Sequence, residues 1–162
     1  MSRWGDHDHD ESGIEAQPID VDDEPTPDGD HVEAAADEPT LYYGSVDEFV
    51  REYLRAVYRR AINGRSRIWA ARWWEYDEAV IRLEALWRSW EHLRQDARTG
   101  MSVWWRDHAD HHMRVLMDPD GPFAAADPND TINQCRKGEP LPYVAPPAGL
   151  FPDVREPVDG PA

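Results

Sequence analysis

The stretch of sequence that decides the fold extends from Trp69 to Met117 and reads WAARWWEYDEAVIRLEALWRSWEHLRQDARTGMSVWWRDHADHHMRVLM. It contains seven of the eight tryptophans in the chain. Their rings recur at spacings that a helix turns toward one side, and each aromatic side chain can bury roughly 150 to 250 Å² of surface. This composition predicts a small, packed helical domain.

Proline and glycine indicate where that domain begins and ends. All fourteen prolines lie at or before Pro39 or at or after Pro119, and the three glycines between those positions separate long periodic runs. We expect residues 1–40 to be a disordered acidic tail, residues 41–126 to be an all-α domain of three or four helices, and residues 127–162 to be a proline-rich extended tail.

The formal net charge of −16 lies mainly in the first of these segments. Residues 1–40 carry one arginine against fourteen acidic residues, whereas residues 41–126 carry thirteen of each. Because residues 1–40 have few apolar groups to offset the entropy of ordering a chain, we interpret them as a solubilising tail. An acidic decoy that competes with nucleic acid for a basic surface is the functional alternative.

Cysteine usage and hydropathy bear on localisation. Cys135 is the single cysteine, so an intrachain disulfide and a cysteine-based zinc site are excluded, and a reducing cytoplasm is the expected setting. The N-terminus lacks the apolar run of a signal peptide, and no stretch of about 18 apolar residues occurs. We therefore expect a cytoplasmic protein that does not interact with membranes.

The first helix is predicted to extend from Ser45 to Gly64. Ser45 and Glu48 form a capping box, and Gly64 is typical of a helix C-terminus. The apolar residues between them follow helical spacing without a break: Val46, Phe49, Val50, Tyr53, Leu54, Val57, Tyr58, Ala61 and Ile62.

The later helices follow from the same periodicity. Residues 66–76 favour a short helix, although RIWAARWW also alternates as a strand would. Asp77 caps a third helix, and Ser102 caps a fourth that ends at the sequence DPDGPF. The inward stripe of the third helix is Val80, Leu83, Leu86, Trp87, Trp90 and Leu93, and that of the fourth is Trp105, Ala109, His112, Met113 and Leu116.

A surplus of aromatic rings predicts a partner-binding surface. The sequence contains two adjacent tryptophan pairs, and neighbours on a helix point about 100° apart, so both members cannot easily enter one small core. Helical phase does not place Trp74 and Trp104 in the core, so we expect them at the surface. Tyr143 and Phe151 lie within the proline-rich run and are candidate docking side chains. The partner is an unidentified protein, or a second copy of the chain in a homodimer.

Arginine suggests an alternative, which is nucleic-acid binding. Residues 51–72 contain seven arginines and one acidic residue, Glu52, and we call the arginines the basic ridge: Arg51, Arg55, Arg59, Arg60, Arg65, Arg67 and Arg72. The first three are spaced by four residues and would share one face of the first helix. Such a ridge can contact phosphates, with nearby tryptophans stacking on unpaired bases, or it can be an ordinary solvated helix face.

Histidine suggests a second alternative. His108 and His112 are four residues apart, as in two-histidine zinc sites, and His92 on the preceding helix is a candidate third ligand. The pattern lacks the glutamate of HExxH, and His112 also fits the core. No glycine-rich phosphate loop or nucleophile motif occurs, so we expect a binding protein without a cofactor rather than an enzyme.

Three segments together resemble a known family. YYGSVDEFVREYLRAVYRRAI, WAARWWEYDEAVIRLEALWRSWEHLR and GMSVWWRDHADHHMRVLMDPDGPF are similar to domain of unknown function 4913, an uncharacterised family of high-GC Gram-positive bacteria. The resemblance covers roughly residues 41–123. It implies an accessory protein of a plasmid, a conjugative element or a phage, and it implies no catalytic residue.

Overall fold

The computed structural model of the chain describes residues 40–155, and the predictions for residues 1–39 and 156–162 lie outside that range. Within it the chain is helical and contains no strand, only an isolated antiparallel bridge between Ile62 and Cys135. This confirms the all-α class. The helices are α1 at residues 46–57, α2 at Asp77–Leu93 and α3 at residues 100–116, with short 3₁₀ turns at Trp73–Glu75 and Thr131–Asn133.

Helix α1 begins as predicted but ends earlier. The hydroxyl of Ser45 accepts a hydrogen bond from the backbone N–H of Glu48 at 3.1 Å, as the capping box requires. The chain leaves the helix at Tyr58, whose φ and ψ are −94° and 68°. The predicted end at Gly64 is therefore wrong, and Gly64 instead occupies a turn with φ of 69°.

A π-helical turn changes which side chains α1 buries. The helix consists of α-helical Val46–Phe49, π-helical Val50–Leu54 and α-helical Arg55–Val57. Hydrogen bonds in a π turn join residues five apart, so Phe49 and Leu54 lie on one face and are both fully buried. Val57, which was predicted inside, is 41% exposed.

Residues 66–72 are neither the predicted short helix nor a strand. Their backbone is bonded to other parts of the chain, with Ile68 N–H donating to Met117 O at 3.1 Å and Ala71 N–H donating to Asn133 Oδ1 at 2.8 Å. Regular structure starts only at the 3₁₀ turn Trp73–Glu75. These tertiary hydrogen bonds satisfy the buried backbone in place of a helix.

Helix α2 has the predicted buried face and carries an ion pair on its other side. Leu83, Leu86, Trp87 and Trp90 are buried, and Glu78 forms an ion pair with Arg82 at 2.8 Å. Asp77, predicted as the cap, is instead the first helical residue. A carboxylate in the first turn still interacts favourably with the positive end of the helix dipole.

Helix α3 also contains a π turn. It consists of α-helical Gly100–Val103, π-helical Trp104–Ala109 and α-helical Asp110–Leu116, so it starts two residues before the predicted cap at Ser102. Gly100 is required at the start, because a Cβ there would collide with the carbonyl oxygen of Leu93.

The chain after Ala126 packs against the helices. Leu141 is fully buried, and its N–H donates to Arg55 O at 3.1 Å. Further along, Val144 N–H donates to Ala71 O at 2.9 Å. Residues 140–147 form no regular helix or strand, and the packed part of the chain continues past Ala126, where the sequence had placed the end of the domain.

No helix within residues 40–155 combines the length and the apolar character needed to cross a membrane.

Candidate functional site

The structure exchanges the predicted roles of Trp104 and Trp105. Trp104 is fully buried, and its indole N–H donates to Leu86 O at 3.0 Å. Trp105 is half-buried and stacks on Tyr58 with ring centroids 5.9 Å apart. The cause is the π turn, in which the five-residue spacing places Trp104 on the same face as buried Ala109. The assignment of Trp104 to the surface is therefore wrong.

The other three rings chosen for a partner contact this chain. Trp74 is half-buried, and its indole N–H donates to Val144 O at 3.2 Å. The hydroxyl of Tyr143 donates to Asp47 Oδ1 at 2.7 Å, and Phe151 stacks on Trp73 at 5.2 Å. The surplus of aromatic surface is thus covered largely by residues 141–151. Partner binding by these rings stays a prediction.

The basic ridge predicted along α1 is divided. Arg51 pairs with Asp47 at 3.1 Å and with Glu52 at 2.8 Å, and Nε of Arg55 donates to Leu141 O at 3.0 Å. Because α1 ends at Val57, Arg59 does not continue their row. Arg51 and Arg55 are therefore engaged in contacts within the chain.

The remaining arginines concentrate in residues 58–67, YRRAINGRSR, which we call the arginine loop. Asn63 fixes its tip, because Oδ1 accepts the backbone N–H groups of Arg65 and Ser66, both at 3.0 Å. The N–H of Gly64 also donates to Arg67 O at 3.1 Å. Ile62, 2% exposed, fixes the base of the loop through the bridge to Cys135.

The arginines of this loop are not neutralised by neighbouring carboxylates. The ion pairs of the described chain involve other cations, namely Arg51, Arg82, Arg94, Arg106 and Arg155. Arg59 donates to the carbonyl oxygens of Ala56 and Gly138 instead, and the guanidinium of Arg60 lies 4.4 Å from the ring centre of Tyr58. A cation over an aromatic face is attracted to the ring quadrupole, and Arg60 also donates to Arg59 O at 3.0 Å, so its exposed guanidinium has neutral partners only.

A cavity of about 310 Å³ opens between the arginine loop and the end of α3. The residues that line it are Tyr58, Arg60, Ser66, Arg67, Asp110, Met113, Arg114, Met117, Asp118 and Pro119. Burial raises the pKa of the Tyr58 hydroxyl. Of the nearby charges, Arg60 and Arg114 lower this pKa and Asp110 raises it. Charges from both elements therefore surround this hydroxyl.

Arg114 is a residue of this site that the sequence did not identify. It lies on α3, about fifty positions along the chain from the loop, and only the packing of α3 brings it to the cavity. Helical phase places it on the exposed side of α3, about 100° from buried Met113, which gives no indication of a binding role. The predicted Arg72 lies away from the cavity, beside Ala70, Glu75 and Tyr76.

The predicted metal ligands are not brought together. Within residues 40–155 no three histidine, cysteine, aspartate or glutamate side chains form a group that could hold a metal ion, so His92 does not join His108 and His112. His112 instead faces a cation, with Nδ1 3.4 Å from the guanidinium of Arg82. Burial lowers the pKa of His112, and Arg82 lowers it further. A fixed positive charge at this position disfavours a metal ion.

The fold and the site define an all-α domain with an exposed basic loop whose backbone is hydrogen-bonded. The chain belongs to the family described as domain of unknown function DUF4913, whose model matches residues 43–147. The match includes the arginine loop and continues beyond Ala126, in agreement with the packing of the C-terminal segment. Searches of curated proteins and of solved structures gave no match.

Proposed function

We propose that this protein is a non-enzymatic nucleic-acid-binding module whose arginine loop contacts phosphate groups. One observation carries the proposal. The loop backbone is fixed by Asn63 and Ile62, yet its four arginines form no ion pair with a carboxylate among residues 40–155. Guanidinium groups on a fixed backbone lose little further backbone entropy on binding, and their planar fork matches phosphate oxygens.

The protein-docking function, preferred from the sequence, has weaker support. It was based on unplaced aromatic rings, but Trp104 is buried and Trp74, Tyr143 and Phe151 contact the chain itself. In the nucleic-acid-binding alternative, Arg51 and Arg55 are excluded from the binding surface because they contact other groups of the chain, and Arg114 is added to it. The role in a plasmid, conjugative element or phage and the cytoplasmic location stay proposals.

Salt-dependent binding of the full-length chain tests this function. We expect a fluorescently labelled oligonucleotide to bind with an affinity that falls steeply with salt, because each phosphate contact releases condensed counterions. Arg65→Gln should reduce the slope of log K against log salt by about one phosphate contact. Fluorescence anisotropy between about 50 and 200 mM salt measures both quantities.

Arg98→Gln is the matched control, because Arg98 is also exposed but lies in the turn between α2 and α3. It should leave the slope unchanged. Absent binding, or equal loss of affinity in both variants, would overturn the proposed function.

A further inference from the structure

We propose that the cavity between the arginine loop and α3 accepts one unstacked nucleotide, so that the nucleic acid bound is single-stranded. This inference rests on the proposed function and names the class of nucleic acid that the same site takes. It follows from the mixed chemistry of the lining, from the size of the cavity and from the way its aromatic wall is held.

The cavity lining combines three kinds of group. The cationic residues are Arg60 and Arg67 of the loop and Arg114 of α3. The acidic residues are Asp110 and Asp118, and Oδ1 of Asp118 also accepts the backbone N–H of Asp120 at 2.8 Å. Met113, Met117 and Pro119 add apolar surface. A free inorganic anion would satisfy the arginines but would be repelled by the two carboxylates.

A nucleotide matches all three kinds of group. Its phosphate pairs with guanidinium forks, and the amino and hydroxyl groups of its base and sugar donate to carboxylate oxygens. The flat faces of its base contact the apolar side chains of Met113, Met117 and Pro119. The ligand that fits this lining therefore carries an anion, hydrogen-bond donors and an apolar face in one unit.

The cavity volume limits how the nucleic acid is bound. About 310 Å³ lies at the lower end of the range for small-molecule sites and suits one nucleotide rather than a base pair. The bases of a duplex are stacked and paired, so a duplex can offer only its backbone to the arginine loop. A single strand can turn a base out and place it in the cavity without the cost of breaking a pair.

The aromatic wall of the cavity is held in place before any ligand binds. Tyr58 is 7% exposed, and its ring lies nearly parallel to that of Trp105, with an interplanar angle of 14°. The guanidinium of Arg60 lies over the same ring at 4.4 Å. Tyr58 therefore positions the guanidinium of Arg60 at the cavity in advance, which lowers the entropy lost on binding.

Two substitutions in the full-length chain test the inference through opposite changes of charge. Asp118→Asn removes a negative charge, so simple electrostatics would make the protein bind every polyanion more tightly. If Asp118 accepts hydrogen bonds from a nucleotide, the same change should instead weaken single-strand binding several-fold. Arg114→Gln should weaken single-strand binding about tenfold and duplex binding less than twofold, because it removes a charged contact made inside the cavity.

Anisotropy with a labelled single strand and with the matching duplex gives the readout, and circular dichroism checks the fold of each variant. Adenosine and guanosine monophosphate should displace the single strand from the wild type at concentrations where inorganic phosphate does not. Arg65→Gln is the control, because Arg65 lies outside the cavity lining. It should weaken binding of the single strand and of the duplex by the same factor.

The outcomes separate this inference from the function on which it rests. Three results would overturn the nucleotide site and leave the proposed function standing. They are tighter binding of both nucleic acids by Asp118→Asn, equal losses for both in Arg114→Gln, and no preference of the wild type for the single strand. If neither the single strand nor the duplex binds, both the nucleotide site and the proposed function are overturned. Loss of single-strand binding alone in both cavity variants supports the inference.

Discussion

Glu91 lies on the buried face of α2, where it accepts hydrogen bonds from the chain that leads into α1. Its carboxylate accepts the backbone N–H of Tyr42 at 3.0 Å and that of Tyr43 at 2.8 Å, and it pairs with Arg94 at 2.7 Å. Burial alone would raise the pKa of Glu91, but the two backbone hydrogen bonds and Arg94 hold it below its ordinary value of 4.5. The ionised form therefore stabilises the fold.

Glu91→Gln should lower the free energy of unfolding at pH 7 by about 1.5 to 3 kcal/mol, the usual contribution of a hydrogen bond to a charged group. Because the folded pKa is depressed, the stabilisation is complete above the unfolded pKa of 4.5 and is lost as the pH falls through the folded pKa. Urea unfolding at pH 7 and at about pH 3 measures the difference, which should shrink in acid. A difference that stays constant with pH would contradict this account.

Two buried tryptophans differ in whether their indole N–H has an acceptor. Trp69 donates to Pro142 O at 2.9 Å, whereas the N–H of Trp73 has no acceptor among residues 40–155. Trp69→Phe should therefore cost about 0.5 to 1.5 kcal/mol more than Trp73→Phe, since both changes remove the same atoms from the core. Equal losses in denaturant unfolding would show that the hydrogen bond to Pro142 contributes nothing.

At the scale of elements, periodicity predicted α2 correctly and failed at the two π turns. The position and the buried face of α2 follow from the sequence, because the hydrogen bonds of this helix keep the α-helical spacing throughout. The π-helical segments Val50–Leu54 and Trp104–Ala109 contain no proline or glycine that would indicate a π turn from the sequence. The phase error that follows exchanged Trp104 with Trp105.

The C-terminal segment offers an element-scale prediction. Leu141→Ala should destabilise the whole domain by about 2 to 5 kcal/mol, because the side chain is fully buried against the helices. Leu150→Ala is the matched control, since Leu150 is 47% exposed and should change the stability by about 0.5 kcal/mol or less. Thermal unfolding followed by circular dichroism compares the two. If the two variants have the same melting temperature, residues 141–150 are not part of the cooperative unit.

For the whole molecule, the sequence predicted the composition of the site better than its geometry. Arg60, Arg65 and Arg67 were identified from local composition alone, because a run of cations without acids is visible in any window. Arg114 and Asp118 were not, because they reach the cavity only through the packing of α3 against the loop. Contacts between residues so far apart in the chain leave no periodic signal.

The distribution of charge along the chain gives a last prediction. Replacing the fourteen acidic residues at positions 6–38 with their amides brings the formal net charge from −16 to −2 without changing residues 40–155. If residues 1–40 compete with nucleic acid for the arginine loop, this full-length variant should bind a single-stranded oligonucleotide several-fold more tightly at low salt. The gain should vanish near 1 M salt, where the Debye length falls to about 3 Å. Adding Arg65→Gln and Arg67→Gln together to the wild type and to the amide variant distinguishes the two explanations. A general effect of net charge would give the same gain in affinity with and without these two substitutions, whereas competition for the loop requires a smaller gain with them. Anisotropy titrations of the four proteins measure the gain.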